Sequence, residues 1–443
     1  MGRRLNSMFG RAETSTPSGS RTSIEKLKAE IGRELLDELD LQAARSMPVQ
    51  DLRQECSNRA DYLLKQRGYP LTKKEKETLL GDIMNDIFGL GPLESFMQQP
   101  DVSDILVNGY DHIYIERNGQ IERTDVHFRD NNQVLQIIQR IATKVGRRID
   151  ESIPMLDARL MDGSRVNAII PPLALDGPAL SIRRFGTIKM DINKLKELGS
   201  LTEEMALFLM ECVRCQINIV ISGGTGAGKT TLLNILSGWI PQDERVVTIE
   251  DAAELQLQRE HVVRLETRPP NVEAKGEITQ RDLLRNSLRM RPDRIIIGEV
   301  RGAETLDMLQ AMNTGHEGSL TTVHANSTRD ALSRIENMIS ISGVNCSPAV
   351  IRTQISSALD LMVHMDRLTG GGRKIMEIAE ITGLEGNVVT MHDIFLYKQT
   401  GVDGYGQAEG HFEACGTCPA LLDRLEAEGA QIPEGLFCQR MLG

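Results

Sequence analysis

The apolar run Ile219-Val220-Ile221-Ser222 leads into Gly223-Gly224-Thr225-Gly226-Ala227-Gly228-Lys229-Thr230-Thr231, and Leu232, Leu233, Ile235 and Leu236 follow at helical spacing. Strand, glycine-rich loop and helix in that order are what a phosphate-binding loop requires. Glycines let the backbone curl so that successive N–H groups point inward at phosphate oxygens, and the positive end of the helix dipole adds to the attraction. In this scheme Lys229 neutralises the β- and γ-phosphates, the Thr230 hydroxyl ligates Mg²⁺, and Thr231 contacts the α-phosphate. A turn that merely joins strand to helix is the bland alternative, and the eight-residue pattern in its required context argues against it. The loop implies a nucleoside triphosphate without reading its base.

Hydrolysis also needs a carboxylate to orient or deprotonate the attacking water. Glu299 is the candidate, because it follows the apolar run Ile295-Ile296-Ile297 in Gly298-Glu299-Val300-Arg301-Gly302. A carboxylate at the carboxyl end of a strand beside the loop stands where such sheets place their ligands. Gly298 occupies the position where a metal-directing Asp is usual, so Glu299 is expected to serve both the water and, through water molecules, Mg²⁺. A second strand end, Thr248-Ile249-Glu250-Asp251-Ala252-Ala253-Glu254, offers three carboxylates. Glu250 and Asp251 are assigned to the Mg²⁺ and water shell, whereas Glu254 is equally a cap for the next element. Gly315-His316-Glu317-Gly318-Ser319-Leu320-Thr321-Thr322-Val323-His324 puts two of the eight histidines in one strand-forming segment. His324 either senses the γ-phosphate by donating a hydrogen bond or is a satisfied core histidine, and the pattern alone leaves both open.

These residues need a scaffold. Ile217 to Ile221, Val246 to Ile249, Arg294 to Ile297 and Ser319 to Val323 alternate with helix-like segments, which predicts an α/β domain with a mostly parallel sheet and helices on both faces. Ahead of it a helix opens at the capping box Ser200/Glu203. From Pro92 to Phe185 the texture is mixed: strands at Asp104 to Val107 and His112 to Ile115, an Asn118-Gly119 hairpin signal, a helix through Leu135, Ile138, Ile141, Ala142 and Val145, then the strand Arg165 to Ile170. This predicts an α+β domain. Before it, capping boxes at Thr22/Glu25 and Thr72/Glu75 and an intervening run through Leu52, Cys56, Ala60 and Leu63 predict an N-terminal bundle of three helices. The expected division is a flexible tail at 1–21, the bundle at 22–90, the α+β domain at 91–186, a linker at 187–199 and the nucleotide domain with a C-terminal extension at 200–443.

Composition narrows the function. With 443 residues, 40% hydrophobic and 26% charged, the chain reads as several ordinary globular domains. A net charge of −11 and only 4% aromatics argue against a nucleic-acid partner. Neither a signal-peptide pattern nor about 18 consecutive apolar residues occurs, so a cytoplasmic chain with no membrane span is expected. The seven cysteines are an odd, scattered set, for which reduced thiols are the default. Cys415 and Cys418, with His411 and Cys438, suggest zinc by spacing, but a second C-x-x-C is missing and no zinc is expected.

Taken in order, the phosphate loop, TIEDAAEL, RIIIGEVRG and GHEGSLTTVHAN resemble the secretion ATPase superfamily, and within it the CpaF/TadA-type ATPases of tight-adherence (Flp) pili. Arg159 to Ala168 with Pro171-Pro172, Leu180 to Phe185, and Asp393-Ile394-Phe395 extend the resemblance from about residue 22 to the end. It implies a RecA-like motor domain, ATP with Mg²⁺ as its fuel, and a homohexameric ring whose N-terminal domain swings against the motor. It also implies docking on inner-membrane pilus platform proteins, and arginines supplied to the nucleotide by the N-terminal domain, carried over onto Arg165, Arg183 and Arg184. Arginine suits this duty because its planar fork binds phosphate oxygens bidentately, although each could instead pair with a surface carboxylate. The rivals are a conjugation-type secretion ATPase, which shares all four blocks, a RecA-like DNA-dependent ATPase, and a nucleotide-gated scaffold that does not hydrolyse.

Overall fold

A computed structural model describes residues 27, 28, 30–32, 34, 35 and 48–442, except 69, 70, 118, 185–189, 269, 271–274 and 345. The tail expected at 1–21, the Thr22/Glu25 capping box and Asn118 lie outside the described residues. The chain divides into two units, Met1–Arg184 and Phe185–Gly443.

In the first unit, the described residues from 27 to 35 are helical and are followed by α1 (Val49–Gln66) and α2 (Lys73–Phe88). Leu27, Ile31 and Leu35 recur every four residues and share one core with Cys56, Ala60 and Leu63 of α1 and Leu79 and Ile83 of α2. A reciprocal capping box starts α2: Glu75 N donates to Thr72 Oγ1 at 3.3 Å, and Thr72 N donates to the Glu75 carboxylate at 2.8 Å. Its last carbonyls are taken by cations, with Lys144 Nζ donating to Phe88 O at 2.8 Å and Arg140 to Gly89 O at 2.7 Å.

A short helix α3 (Glu94–Met97) leads to β1 (Val102–Asn108), β2 (Ile113–Arg117), β3 (Gln120–Arg123), α4 (Asn131–Lys144), β4 (Met155–Arg159), β5 (Arg165–Ile169) and β6 (Ala179–Arg183). The strands form an antiparallel sheet in the order β3-β2-β1-β6-β5-β4. Helix α4 lays Val134, Ile137, Ile138 and Ile141 on its inward side chains, among them Ile105, Ile113, Val166 and Ile182. The other face keeps exposed residues at every second position.

The second unit opens with α5 (Ile192–Glu197), inside the stretch expected as linker, and α6 (Glu203–Arg214). The cap of α6 is Thr202, whose hydroxyl accepts from Met205 N, and not Ser200. Ser200 is buried, and its carbonyl accepts from Ile375 N. Then follow β7 (Ile219–Gly223), α7 (Lys229–Ser237), β8 (Val246–Glu250), β9 (Val262–Glu266), α8 (Gln280–Ser287), β10 (Arg294–Ile297), α9 (Glu304–Asn313), β11 (Leu320–His324), α10 (Thr328–Ile341) and α11 (Pro348–Ala358). The chain ends in β12 (Leu361–Arg367), β13 (Arg373–Glu385), β14 (Val388–Val402), β15 (Ala408–Ala414), α12 (Leu422–Ala427) and β16 (Arg440–Leu442).

All ten strands form one sheet in the order β16-β15-β14-β13-β12-β7-β11-β10-β8-β9. From β12 to β9 neighbours run parallel, and from β12 to β16 they run antiparallel. Both faces are covered, and the strands alternate between two cores. Ile219 and Ile221 pack with α6 and α7, whereas Val220 packs with α9, α10 and α11. That is why the central strands read as unbroken apolar runs. Each fully buried Ile or Leu contributes roughly 1.5–3 kcal/mol by leaving water. Among the described residues no helix is long and apolar enough to cross a membrane.

One buried charge shapes the loop before β11. Arg294 is fully buried, donates to both Glu244 carboxylate oxygens at 2.5 and 3.1 Å, and reaches Gly318 O at 3.2 Å. Gly318 has φ +72°, and a Cβ there would stand 1.8 Å from the guanidinium and 2.8 Å from Gln216 Cα. The guanidinium is held at three points and cannot retreat without leaving a buried ion unpaired. Gly318→Ala is therefore expected to destabilise the second unit by about 3 kcal/mol or more, combining left-handed strain with overpacking. Denaturant unfolding of this variant beside the parent checks it; a change under about 0.5 kcal/mol contradicts the account.

Candidate nucleotide-binding site

The carboxyl ends of the parallel strands converge on the loop that follows β7. Gly223 closes that strand at φ +158°, and a Cβ there would meet Met365 O at 2.4 Å, so only glycine lets β7 lie this close to β12 as it turns away. Thr225 and Gly226 are exposed, while Ala227 is buried beneath the loop. Gly228 stands at the N-cap of α7, and Lys229, Thr230 and Thr231 form the first turn, where unpaired N–H groups gather. Lys229 Nζ donates to Gly223 O at 2.9 Å and Gly224 O at 3.0 Å. Burial pushes the Lys229 ammonium below its ordinary pKa; Glu299 opposes the shift, and Arg301 and Arg334 add to it.

Backbone hydrogen bonds to both neighbouring strands position Glu299. Gly298 N donates to Ile249 O at 2.9 Å and Val300 N to Thr322 O at 3.0 Å, while the Thr322 hydroxyl donates to Gly298 O at 2.8 Å. The glycine at 298 has a local reason: a Cβ there would be 3.0 Å from Glu250 Cγ. Arg301 donates to Glu299 Oε2 through two nitrogens, at 2.6 and 3.1 Å, and lies 3.5 Å from Asp251 Oδ2. The structure thereby joins Glu299 and Asp251 through Arg301. It adds Arg301 and Arg334, for which the sequence carries no signal beyond their basic side chains.

Glu250 ends β8 and is 3% exposed. Its Oε2 accepts from Glu254 N at 2.7 Å and Leu255 N at 3.0 Å, so the capping role weighed for Glu254 falls to Glu250. Its Oε1 is buried without a hydrogen-bond partner, and burial raises the carboxyl pKa against the pull of those two amides. His324, at the end of β11, pairs in register with Gly223 at the start of the loop.

A second histidine on this sheet escapes sequence reading. His364 of β12 pairs in register with Ser222, is 5% exposed, and has Nδ1 2.9 Å from the Ser222 hydroxyl. Burial lowers its pKa; Asp366 and Asp330 oppose that shift and Lys229 adds to it. The folded chain therefore binds fewer protons here than the unfolded chain, whose histidine titrates near 6.5, and stability falls as pH drops through that value. His364→Gln is expected to flatten the loss of melting temperature between about pH 7 and pH 5. An unchanged slope removes His364 as its source.

The three N-terminal arginines belong to the first unit. Arg165 pairs in register with Arg159 on β4 and with Arg183 on β6, so the three arginines occupy neighbouring positions across the sheet. Arg183 Nε donates to Asp104 at 3.0 Å with a largely exposed side chain. Arg184 is committed within its own unit, donating to the carbonyls of Phe96, Gln99 and Val102. At the C-terminus, His411 pairs with Glu413 at 3.0 Å, Cys415 is half-buried with its pKa pushed up to about 11, and Cys418 and Cys438 are exposed.

A parallel sheet whose strand ends in a glycine loop on a helix N-terminus is the build of phosphate-loop proteins. The chain belongs to the family described as type II/IV secretion system protein, matched over residues 87–405. A putative conjugal transfer protein of Mycobacterium tuberculosis is 37% identical over 312 residues, covering 69% of this chain and 88% of the relative. Conjugal transfer protein TrbB of Rhizobium radiobacter is 33% identical over 326 residues, covering 72% and 94%. Among solved structures, the VirB11 ATPase of the Brucella suis type IV secretion system is 30% identical over 66% of this chain and 97% of its own, with a TM-score of 0.35.

Proposed function

We propose that the chain is an ATP-hydrolysing motor of RecA-like design that drives assembly of a tight-adherence, type IV-like pilus, working as a cytoplasmic homohexamer against inner-membrane platform proteins. The observation that carries this reading is the carboxylate of Glu299 at the carboxyl end of a parallel strand, with β11 between it and β7, the strand that leads into the glycine loop and Lys229 at the helix N-terminus. Lys229 and the amides of Gly224 to Thr230 hold the triphosphate, and Glu299 orients the attacking water. Thr230 in the first turn and the unpartnered buried Glu250 Oε1 fit a hydrated Mg²⁺ accompanying the triphosphate. That ion, when bound, supplies charge neutralisation at the phosphates.

Arg165 and Arg183, neighbours in register on the first unit's sheet, are the arginines proposed to be lent to a nucleotide, a duty that suits the planar guanidinium fork. Arg184, with its carbonyl partners, holds β6 to the turn before β1 instead.

Steady-state phosphate release by the purified chain with magnesium and ATP tests the enzyme reading, and no release above buffer overturns it. The conjugal transfer names of the relatives favour a second reading, a conjugation-type traffic ATPase. Deleting the gene and imaging surface fibres separates the two: lost fibres support the pilus motor, whereas intact fibres with lost plasmid transfer support the other.

A further inference from the structure

Arg301 touches Glu299 but has no duty in the hydrolysis described above, and its placement is specific. Its backbone is pinned, because Arg301 N and Gly302 N donate to Glu304 Oε1 at 2.6 and 2.7 Å and Glu304 is itself buried. Its side chain is largely exposed, so the guanidinium can swing while its base stays fixed. Two of its nitrogens spend their hydrogen bonds on a single oxygen, Glu299 Oε2, and Asp251 stands beside the third. Val300 N donates to Thr322 O at 3.0 Å and Thr322 pairs with Ile221 of β7, so one strand, β11, lies between Glu299 and Arg301 and the strand end from which the phosphate loop and Lys229 follow.

A γ-phosphate held by Lys229 therefore arrives within reach of this ion pair. It offers the guanidinium fork two or three oxygens where Glu299 offers one, and phosphate is the better match for a planar bidentate donor. A carboxylate oxygen already taken by two N–H donors is also poorly placed to accept a proton from water.

We propose that Arg301 is a switch that reads the γ-phosphate: a triphosphate draws the guanidinium off Glu299 and frees that carboxylate for the attacking water, whereas a diphosphate leaves the pair closed. The inference rests on the nucleotide reading and deepens it. Hydrolysis itself balances in the ordinary way, with water adding to the γ-phosphorus, its proton passing to Glu299, and ADP leaving. Arg301 makes this competence conditional on the third phosphate, so that an idle or ADP-loaded subunit in a ring does not waste turnover.

A double-mutant cycle on the full chain tests it, with dissociation constants of Mg-ADP and of a non-hydrolysable Mg-ATP analogue as the readout. Arg301→Gln is expected to lower the preference for the analogue over ADP by about 10-fold, or about 1.4 kcal/mol. Glu299→Gln releases the guanidinium and is expected to tighten analogue binding by about 5- to 10-fold in the parent background and to leave it unchanged alongside Arg301→Gln. Arg301→Lys keeps the charge but not the fork, and serves as a second variant with an intermediate loss. The switch is overturned if the Glu299→Gln effect is the same size in both backgrounds, or if Arg301→Gln weakens ADP and the analogue equally. A parent chain that binds neither nucleotide overturns the nucleotide reading together with the switch; a binding parent with additive variants overturns the switch alone.

Discussion

The Lys229→Ala chain is expected to release phosphate from ATP no faster than buffer and to bind the triphosphate about 10²- to 10³-fold more weakly than the parent. Lys229 sits in the first turn of α7, where alanine is at least as good a helix former, so the substitution leaves the local fold in place. What disappears is the only loop side chain with a positive charge, together with its hydrogen bonds to Gly223 O and Gly224 O. Gly224 is half-buried, so water can reach its carbonyl, whereas Gly223 is buried and loses a donor at a cost of about 1–3 kcal/mol. A hydrogen bond from a charged donor is worth roughly 1.5–3 kcal/mol and Lys229 is assigned two phosphates; the stated range corresponds to about 2.7–4.1 kcal/mol, the lower part of that sum. The depressed Lys229 pKa adds a sign: a triphosphate supplies negative charge that favours the ammonium, so binding should take up protons wherever the free lysine is partly neutral. Calorimetric titration with ATP, beside a steady-state phosphate assay, checks both parts. Parent-like turnover in Lys229→Ala would remove the loop from the chemistry.

The phosphate loop and its flanking strand and helix were legible because every cue is local. Nine consecutive residues carry the glycines, the lysine and the hydroxyls, and the apolar runs on either side carry the periods of strand and helix. The strands β8, β10 and β11 were legible for the same reason, since burial on both faces removes alternation and leaves short apolar runs. The edge strand β9 was not, because its burial is partial throughout. The antiparallel β13 and β14 were missed as well: their inward and outward positions are interrupted by register shifts at Ile378/Ala379 and Ile381/Gly383, which blur period two.

Within the site, what stayed illegible is contact at long sequence separation. Met365 O demands the glycine at 223, Arg373 Nε donates to Gly226 O at 2.8 Å, and His364 meets Ser222, all from strands more than a hundred residues downstream of the loop. Glu250 and Glu254 were assigned opposite duties for a related reason. A row of carboxylates does not say which of them turns back on its own backbone, and the cap belongs to the one whose side chain is buried. Residue type was equally silent on Arg184, whose three carbonyl partners lie more than eighty residues earlier in the chain.

The Glu299→Gln chain is expected to keep its fold and to hold the triphosphate analogue about 5- to 10-fold more tightly, while turnover falls by about 10²- to 10⁴-fold. Glutamine preserves the shape, and the backbone bonds from Gly298 and Val300 to neighbouring strands do not involve the side chain. Loss of the ion pair with Arg301 costs little stability, because that guanidinium is largely exposed and such pairs contribute about 1 kcal/mol or less. The neutral amide cannot accept a proton from water, so the loss falls on the chemical step and not on binding. Glu250 is the one rival within the site, and its geometry predicts a different response. Its Oε2 already holds the turn at Glu254 and Leu255, so Glu250→Gln alters the capping of that turn as well as any catalytic duty. A lowered melting temperature with turnover reduced less than about 10-fold in Glu250→Gln, beside a stable but nearly inactive Glu299→Gln, assigns the water to Glu299. Full turnover in Glu299→Gln would move that role to the carboxylate buried beneath Gly298, and the guanidinium switch would lose the group it is proposed to control.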